Sequence, residues 1–181
     1  IKLEEDLNIN KTEIYGLFDP DDNGLDIDMW TNSDGDQLKN IFLKIDKINL
    51  SKDASEIMKI SLLTNSYPPT KNILEKDFLD FKSNWLIKNS DLDLIEEYLI
   101  KNQIIDVHPK LAKYFVDQHL SSGNLEKVCN FLSKNSKPIS DKYITKINIY
   151  CLIINDKKDQ AQLIFDLKKE LGFKDKYFEN K

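Results

Sequence analysis

The residues in this 181-residue chain whose spacing could do chemistry lie in Asp19-Pro-Asp21-Asp-Asn23-Gly24. Oxygen-bearing side chains at alternate positions ahead of a glycine make the first half of an EF-hand loop, where they would hold calcium. The second half departs from that pattern. Asp26 stands where an aliphatic residue zips to a partner loop, and Trp30 stands where a bidentate Glu closes the site. A calcium site built on Asp19, Asp21 and Asn23 would lack two of its ligand oxygens. The expectation is therefore an acidic turn, with no metal and no cofactor.

Nucleophilic chemistry finds less. The two histidines, His108 and His119, have no Gly-x-Ser-x-Gly elbow beside them, and no glycine-rich phosphate loop is present. His108 precedes Pro109 and reads as a helix start. His119 falls near the end of that helix, where a cation suits the dipole. Cys129 and Cys151 both fall within expected helices, without metal-ligand spacing. They read first as small buried hydrophobes, and a disulfide between neighbouring helices is the alternative in an oxidising compartment. Cys151 sits on an apolar stripe, which argues against a Cys/His pair. Glu96 and Glu97 are consecutive on a helix and diverge. No catalytic residue is assigned, and the chain is expected not to be an enzyme.

Charge narrows the partners. The net charge is −5, and the basic residues are all lysine, interspersed with acids. Phosphate and base recognition favours clustered cations and arginine, so nucleic acid is not expected. No run approaches the roughly 20 apolar residues that cross a bilayer.

The elements that would position any site are helical. Residues 1–33 read as an irregular acidic arm, broken by Pro20 and Gly24, with a short helix around Leu3 to Ile14. Leu17, Phe18, Met29 and Trp30 would anchor it. From residue 34 to 181 the apolar period is that of helices. Leu38, Ile41, Phe42 and Ile45 share a face, as do Ile57, Met58, Leu62 and Leu63, then Leu74, Phe78, Phe81 and Trp85. Strand alternation is absent, so the fold class is all-α, with about nine or ten helices in antiparallel hairpins.

After Trp85 the polar breaks Asn89-Ser90, Ser122-Gly123 and Asn155-Asp156 precede helices that start at a constant offset of roughly 33 residues, within the range of helical repeat arrays. That offset aligns Ile95 with Val128 and Ala161, Tyr98 with Phe131 and Ile164, and Leu99 with Leu132 and Phe165. One hairpin cannot bury its apolar face alone, whereas stacked hairpins share a core. Over roughly 71–181 the chain resembles the tetratricopeptide-type repeats. Ala161 and Phe165 match the second-helix Ala-x-x-x-Phe, and Gly123 sits at the turn. Ile149 or Val116 replaces the small first-helix residue, and Phe173 or Ser140 replaces the closing proline. The resemblance implies a short α-solenoid.

A looser likeness runs through Leu25-Asp-Ile-Asp-Met-Trp30, Ile60-Ser-Leu-Leu-Thr64 before Pro68-Pro69, and Tyr150-Cys151-Leu152 onward. These stretches are similar to a group of uncharacterised exported alphaproteobacterial helical proteins, which implies a periplasmic or envelope location, with the cytoplasm as the alternative. A chain beginning at Ile1 reads as a processed or trimmed product. The expected function is a non-catalytic scaffold for a protein or peptide partner, using the surface of the first helices. A substrate-gripping domain of a larger envelope enzyme is the second expectation, and a calcium-dependent surface protein the third.

Overall fold

The computed structural model describes residues 13–173, so most of the expected helix from Leu3 to Ile14 lies outside the described residues. Among them are eight α-helices, rather than nine or ten, and no strand. They are α1 (Gly35–Ile45), α2 (Lys52–Leu63), α3 (Glu75–Asn89), α4 (Leu92–Asn102), α5 (Pro109–Ser121), α6 (Leu125–Ser133), α7 (Lys142–Ile154) and α8 (Lys158–Glu170). The all-α expectation holds. The chain divides into two compact units, Ile1–Phe78 and Leu79–Lys181, with the boundary inside α3.

In the first unit the arm is held by backbone rather than by helix. Leu17 and Phe18 N–H both donate to Leu63 O, at 2.6 and 3.1 Å, and Asn65 N–H donates back to Phe18 O. Glycine is required at position 16, because a Cβ there would stand 2.6 Å from Asn65 N. Leu17 is buried, and the half-buried Trp30 ring packs on Phe78 with centroids 5.4 Å apart, so these two anchor as expected. Asp34 caps α1 by accepting from Asp36 and Gln37 N–H, and also holds Asn72 and Lys71. Desolvation pushes its carboxyl up, but hydrogen bonds from Gln37, Lys71, Asn72 and Asp36 together outweigh that and lower its pKa.

The buried stripes here are narrower than the sequence suggests. Leu38 and Phe42 are buried on α1, and Leu62 and Leu63 on α2, whereas Ile41 and Ile57 are 49% and 64% exposed. An i, i+4 pair such as Leu38 and Phe42 subtends only a thin sector of a helix. Leu74 does not join the α3 face either. It precedes the helix and is exposed.

In the second unit each helix from α4 to α8 packs on the next across a short link, and α5 also packs directly on α7. Helices α4, α6 and α8 start at Leu92, Leu125 and Lys158, which keeps the constant offset expected from the sequence. Helices α5 and α7 start at Pro109 and Lys142, again at that offset, and each runs 13 residues. The α5–α6 and α7–α8 turns close with the same bonds. Ser122, Gly123 and Asn124 donate to Gln118, Leu120 and His119, while Asn155, Asp156 and Lys157 donate to Cys151, Ile153 and Leu152. Each is a helix C-terminus closed through a left-handed residue, Gly123 or Asp156.

The core of this unit holds Ile95, Tyr98, Leu99, Phe115, Val128 and Phe131, all fully buried, with Phe115 and Phe131 centroids 4.5 Å apart. Ala161 is buried in register with Ile95 and Val128. Ile164 and Phe165 are only half-buried, because α8 has no following helix among the described residues to lie over them. Cys129 on α6 and Cys151 on α7 form a disulfide, which corrects the first reading of both as free buried thiols. Their helical setting favoured that reading. Two packed helices can nonetheless bring facing Cα atoms to 5.2 Å, inside the span a disulfide needs.

Candidate partner-binding face

The same offset lines up one outward face of α3, α5 and α7. It pairs Asp80 with Lys113 and Lys146, Phe81 with Tyr114 and Ile147, and Asn84 with Asp117 and Tyr150. On each helix these residues follow i, i+1, i+4 spacing, so they present one side. Phe81, Tyr114 and Ile147 are half-buried, and Tyr150 is 39% exposed, which leaves apolar surface between polar groups. The row is cross-tied. Lys110 donates to Asn84 Oδ1, and the Tyr143 hydroxyl donates to Asp117 Oδ1 at 2.5 Å. Lys113 pairs with Asp141 at 2.7 Å, and Asp141 itself caps α7 by accepting from Tyr143 and Ile144 N–H. Partial burial, with the Asp117 carboxylate beside it, pushes the Tyr143 phenol up to about 12. A row of half-buried apolar side chains, flanked by residues tied in such bonds, leaves a surface that an extended chain can lie along.

Beneath this face lies a polar cluster the sequence reading missed. His108 is buried at the head of α5, with Nδ1 2.7 Å from Ser83 Oγ and Nε2 3.1 Å from Tyr98 Oη. Ser83 already donates its proton to Leu79 O at 3.0 Å, so Nδ1–H donates to Ser83, and Tyr98 O–H donates to Nε2. The imidazole therefore gives a proton to the serine oxygen and cannot take one from it. Ser83 is not an activated nucleophile here. Burial, with the charge of Lys82 nearby, holds His108 down to about 3, and burial brings Lys82 down to about 8. The cluster joins α3, α4 and α5. His108-Pro109 was legible as a helix start, but nothing in the spacing announced Ser83 or Tyr98.

On α4, Glu96 is buried and accepts from Lys127 at 2.7 Å and Lys134 at 2.8 Å, binding α4 to both ends of α6. Burial pushes its carboxyl up, and the hydrogen bonds from the two lysines outweigh that and lower its pKa. Glu96 and Glu97 both line an open depression of about 470 Å³, with Asp93, Ile100, Lys101 and Lys134. Gln103 and Asp106, in the loop after α4, reach the loop after α6. Gln103 Oε1 accepts from Ser136 N–H, and Asp106 accepts from Ser140 N–H.

The remaining sequence candidates do not converge on this face. Asp19 Oδ1 accepts from Asp21 N–H at 3.0 Å, and Asp21–Asn23 forms one 3-10 turn ending at Gly24 with φ of 62°. Trp30, at the position of the closing Glu, packs on Phe78. Among the described residues no three His, Cys, Asp or Glu side chains are grouped as metal ligands. His119 lies in the last turn of α5 with its ring edge-on to Phe115, and Cys151 is engaged in the disulfide. No helix among the described residues is long and apolar enough to cross a membrane. No protein-family model, no curated protein and no solved structure matches the chain.

Proposed function

We propose that the chain is a non-catalytic scaffold, a short α-solenoid of tetratricopeptide-like hairpins α3–α4, α5–α6 and α7–α8. It binds an extended protein or peptide segment along the common face of α3, α5 and α7. The observation that carries this reading is the in-register row Phe81, Tyr114 and Ile147, half-exposed and flanked by Asp117 and Tyr150. In a solenoid the first helices line one continuous surface, and adjacent hairpins add one row of side chains each. The matching turns after α5 and α7 support the stacking. The Cys129–Cys151 disulfide supports an oxidising setting, such as the periplasm or cell envelope.

The test is a selection of unstructured peptides from a random library against the chain, followed by titration of the recovered sequences. Tyr114→Ala with Tyr150→Ala should weaken binding about tenfold or more, in line with the loss of aromatic anchors. Glu97→Ala, on α4, should leave it unchanged. Recovered peptides whose affinity drops equally in both variants would rule the assignment out.

A further inference from the structure

Helix α8 carries a second surface of different character. Leu163, Leu167 and the C-cap residue Leu171 are 61%, 52% and 80% exposed. They recur at i, i+4 spacing, so they form a stripe along one side of the helix. Single exposed leucines are ordinary, but an aligned row on one helix is not. The helix-to-helix offset sharpens the contrast. The positions of Leu163 and Leu167 are filled on α6 by Asn130 and Lys134, and on α4 by Glu97 and Lys101, all of them exposed and polar. At these two offset positions the second helix of a hairpin is thus polar in the α4 and α6 hairpins and apolar in α8.

The stripe has a charged border. Asp159, Asp166 and Glu170, all exposed, follow one edge of it, while Ile164 and, one turn on, Lys168, both half-buried, flank the other. We propose that this face of α8 docks an amphipathic helix of a partner protein, whose apolar stripe lies on the leucines and whose lysines or arginines meet the acidic edge. Helices are commonly read in this way, through i, i+4 apolar anchors with charge setting orientation. A second copy of the chain offers the poorer complement. In an antiparallel pair of α8 helices the acidic edges would face one another, and in a parallel pair the three acids would meet the Ile164 side, whose Lys168 is half-buried.

The test titrates two synthetic helical peptides into the full chain by fluorescence anisotropy. One carries a leucine stripe edged by lysines, and the other has glutamates in place of those lysines. The lysine peptide should bind at least about tenfold more tightly than the glutamate peptide, and added salt should narrow the gap. Leu163→Asn with Leu167→Lys, which copies the α6 pattern on an exposed surface, should weaken the lysine peptide about tenfold while the thermal melt stays unchanged. Equal binding of the two peptides, or undiminished binding in the double variant, overturns the proposal. So does a concentration-dependent dimer in sedimentation that the double variant abolishes. Tyr114→Ala with Tyr150→Ala should not affect this binding, so failure here is distinguishable from failure of the α3/α5/α7 reading.

Discussion

Gly123 and Asp156 occupy the same left-handed backbone conformation at equivalent points after α5 and α7, with φ of +73° and +58°. Each is the hinge of a helix–helix turn closed by the same three backbone bonds. The left-handed region suits glycine and strains residues with a Cβ, Asp less than most. Nothing lies within 4 Å of where a Cβ on Gly123 would be, so only the backbone term acts there. Gly123→Ala should therefore destabilise by about 1 kcal/mol, and Asp156→Gly should stabilise by about half that. Thermal melts of the two variants should move a few degrees in opposite directions. Shifts of the same sign would mean that the two turns are not equivalent.

The Cys129–Cys151 bond closes a loop of 22 residues between α6 and α7. Chain entropy alone assigns such a closure about 3 kcal/mol. Both cysteines are buried, at 7% and 4% exposure, so reduction should be slow in the folded state and faster in mild denaturant. Cys129→Ala with Cys151→Ala should lower the urea midpoint by an amount close to that of the reduced native chain. A double variant as stable as the oxidised protein would show that the bond adds nothing to the packing.

Helix type and the start points of α4, α6 and α8 were legible in the sequence because polar caps interrupt a regular apolar period. Asp91 and Asn124 accept from Leu94 and Lys127 N–H as caps should, while Lys157 starts α8 without such a bond. The width of each buried stripe was not legible, because periodicity records which side is apolar and not what covers it. Ile41 and Ile57 show this for the first unit, and Leu163 and Leu167 for α8. The face of α3, α5 and α7 could be located by offset, whereas its cross-ties could not. Asp117 with Tyr143 and Glu96 with Lys134 join residues 26 and 38 apart, separations that only the packing of helices on one another brings within reach.

Glu96 offers a contrast between two carboxylates on one helix. It is buried and holds two lysines, while Asp93, 90% exposed at its side chain, stands 3.6 Å from Lys127. Exposed pairs contribute little, and partly buried ones with two hydrogen bonds contribute more. Glu96→Gln should cost about 1 kcal/mol after allowance for the solvent around both lysines, and Asp93→Asn nothing measurable. Chemical denaturation at low and high salt checks both. If Asp93→Asn proves the costlier change, the bond to α6 has been assigned to the wrong carboxylate.

His108 sets a pH dependence whose sign follows from its burial. Unfolded, it takes a proton near its ordinary value of 6.5, whereas in the fold desolvation and the Lys82 charge hold it down to about 3. Between those values the unfolded chain binds the extra proton, so acid favours unfolding and stability rises with pH across the window. The contribution is fully present above 6.5 and falls by up to about 1.4 kcal/mol for each unit below it. Lowered carboxylates such as Asp141 and Glu96 act in the same direction, but only near and below their own ordinary range, so a variant is needed to isolate the histidine. His108→Gln removes the titration and keeps a hydrogen-bonding side chain for Ser83 and Tyr98. Urea midpoints at pH 7 and pH 4.5 should show the native chain losing about 2 kcal/mol more than the variant. Equal losses would mean that the imidazole carries its proton inside the fold, with Tyr98 accepting from Nε2–H in place of donating to it.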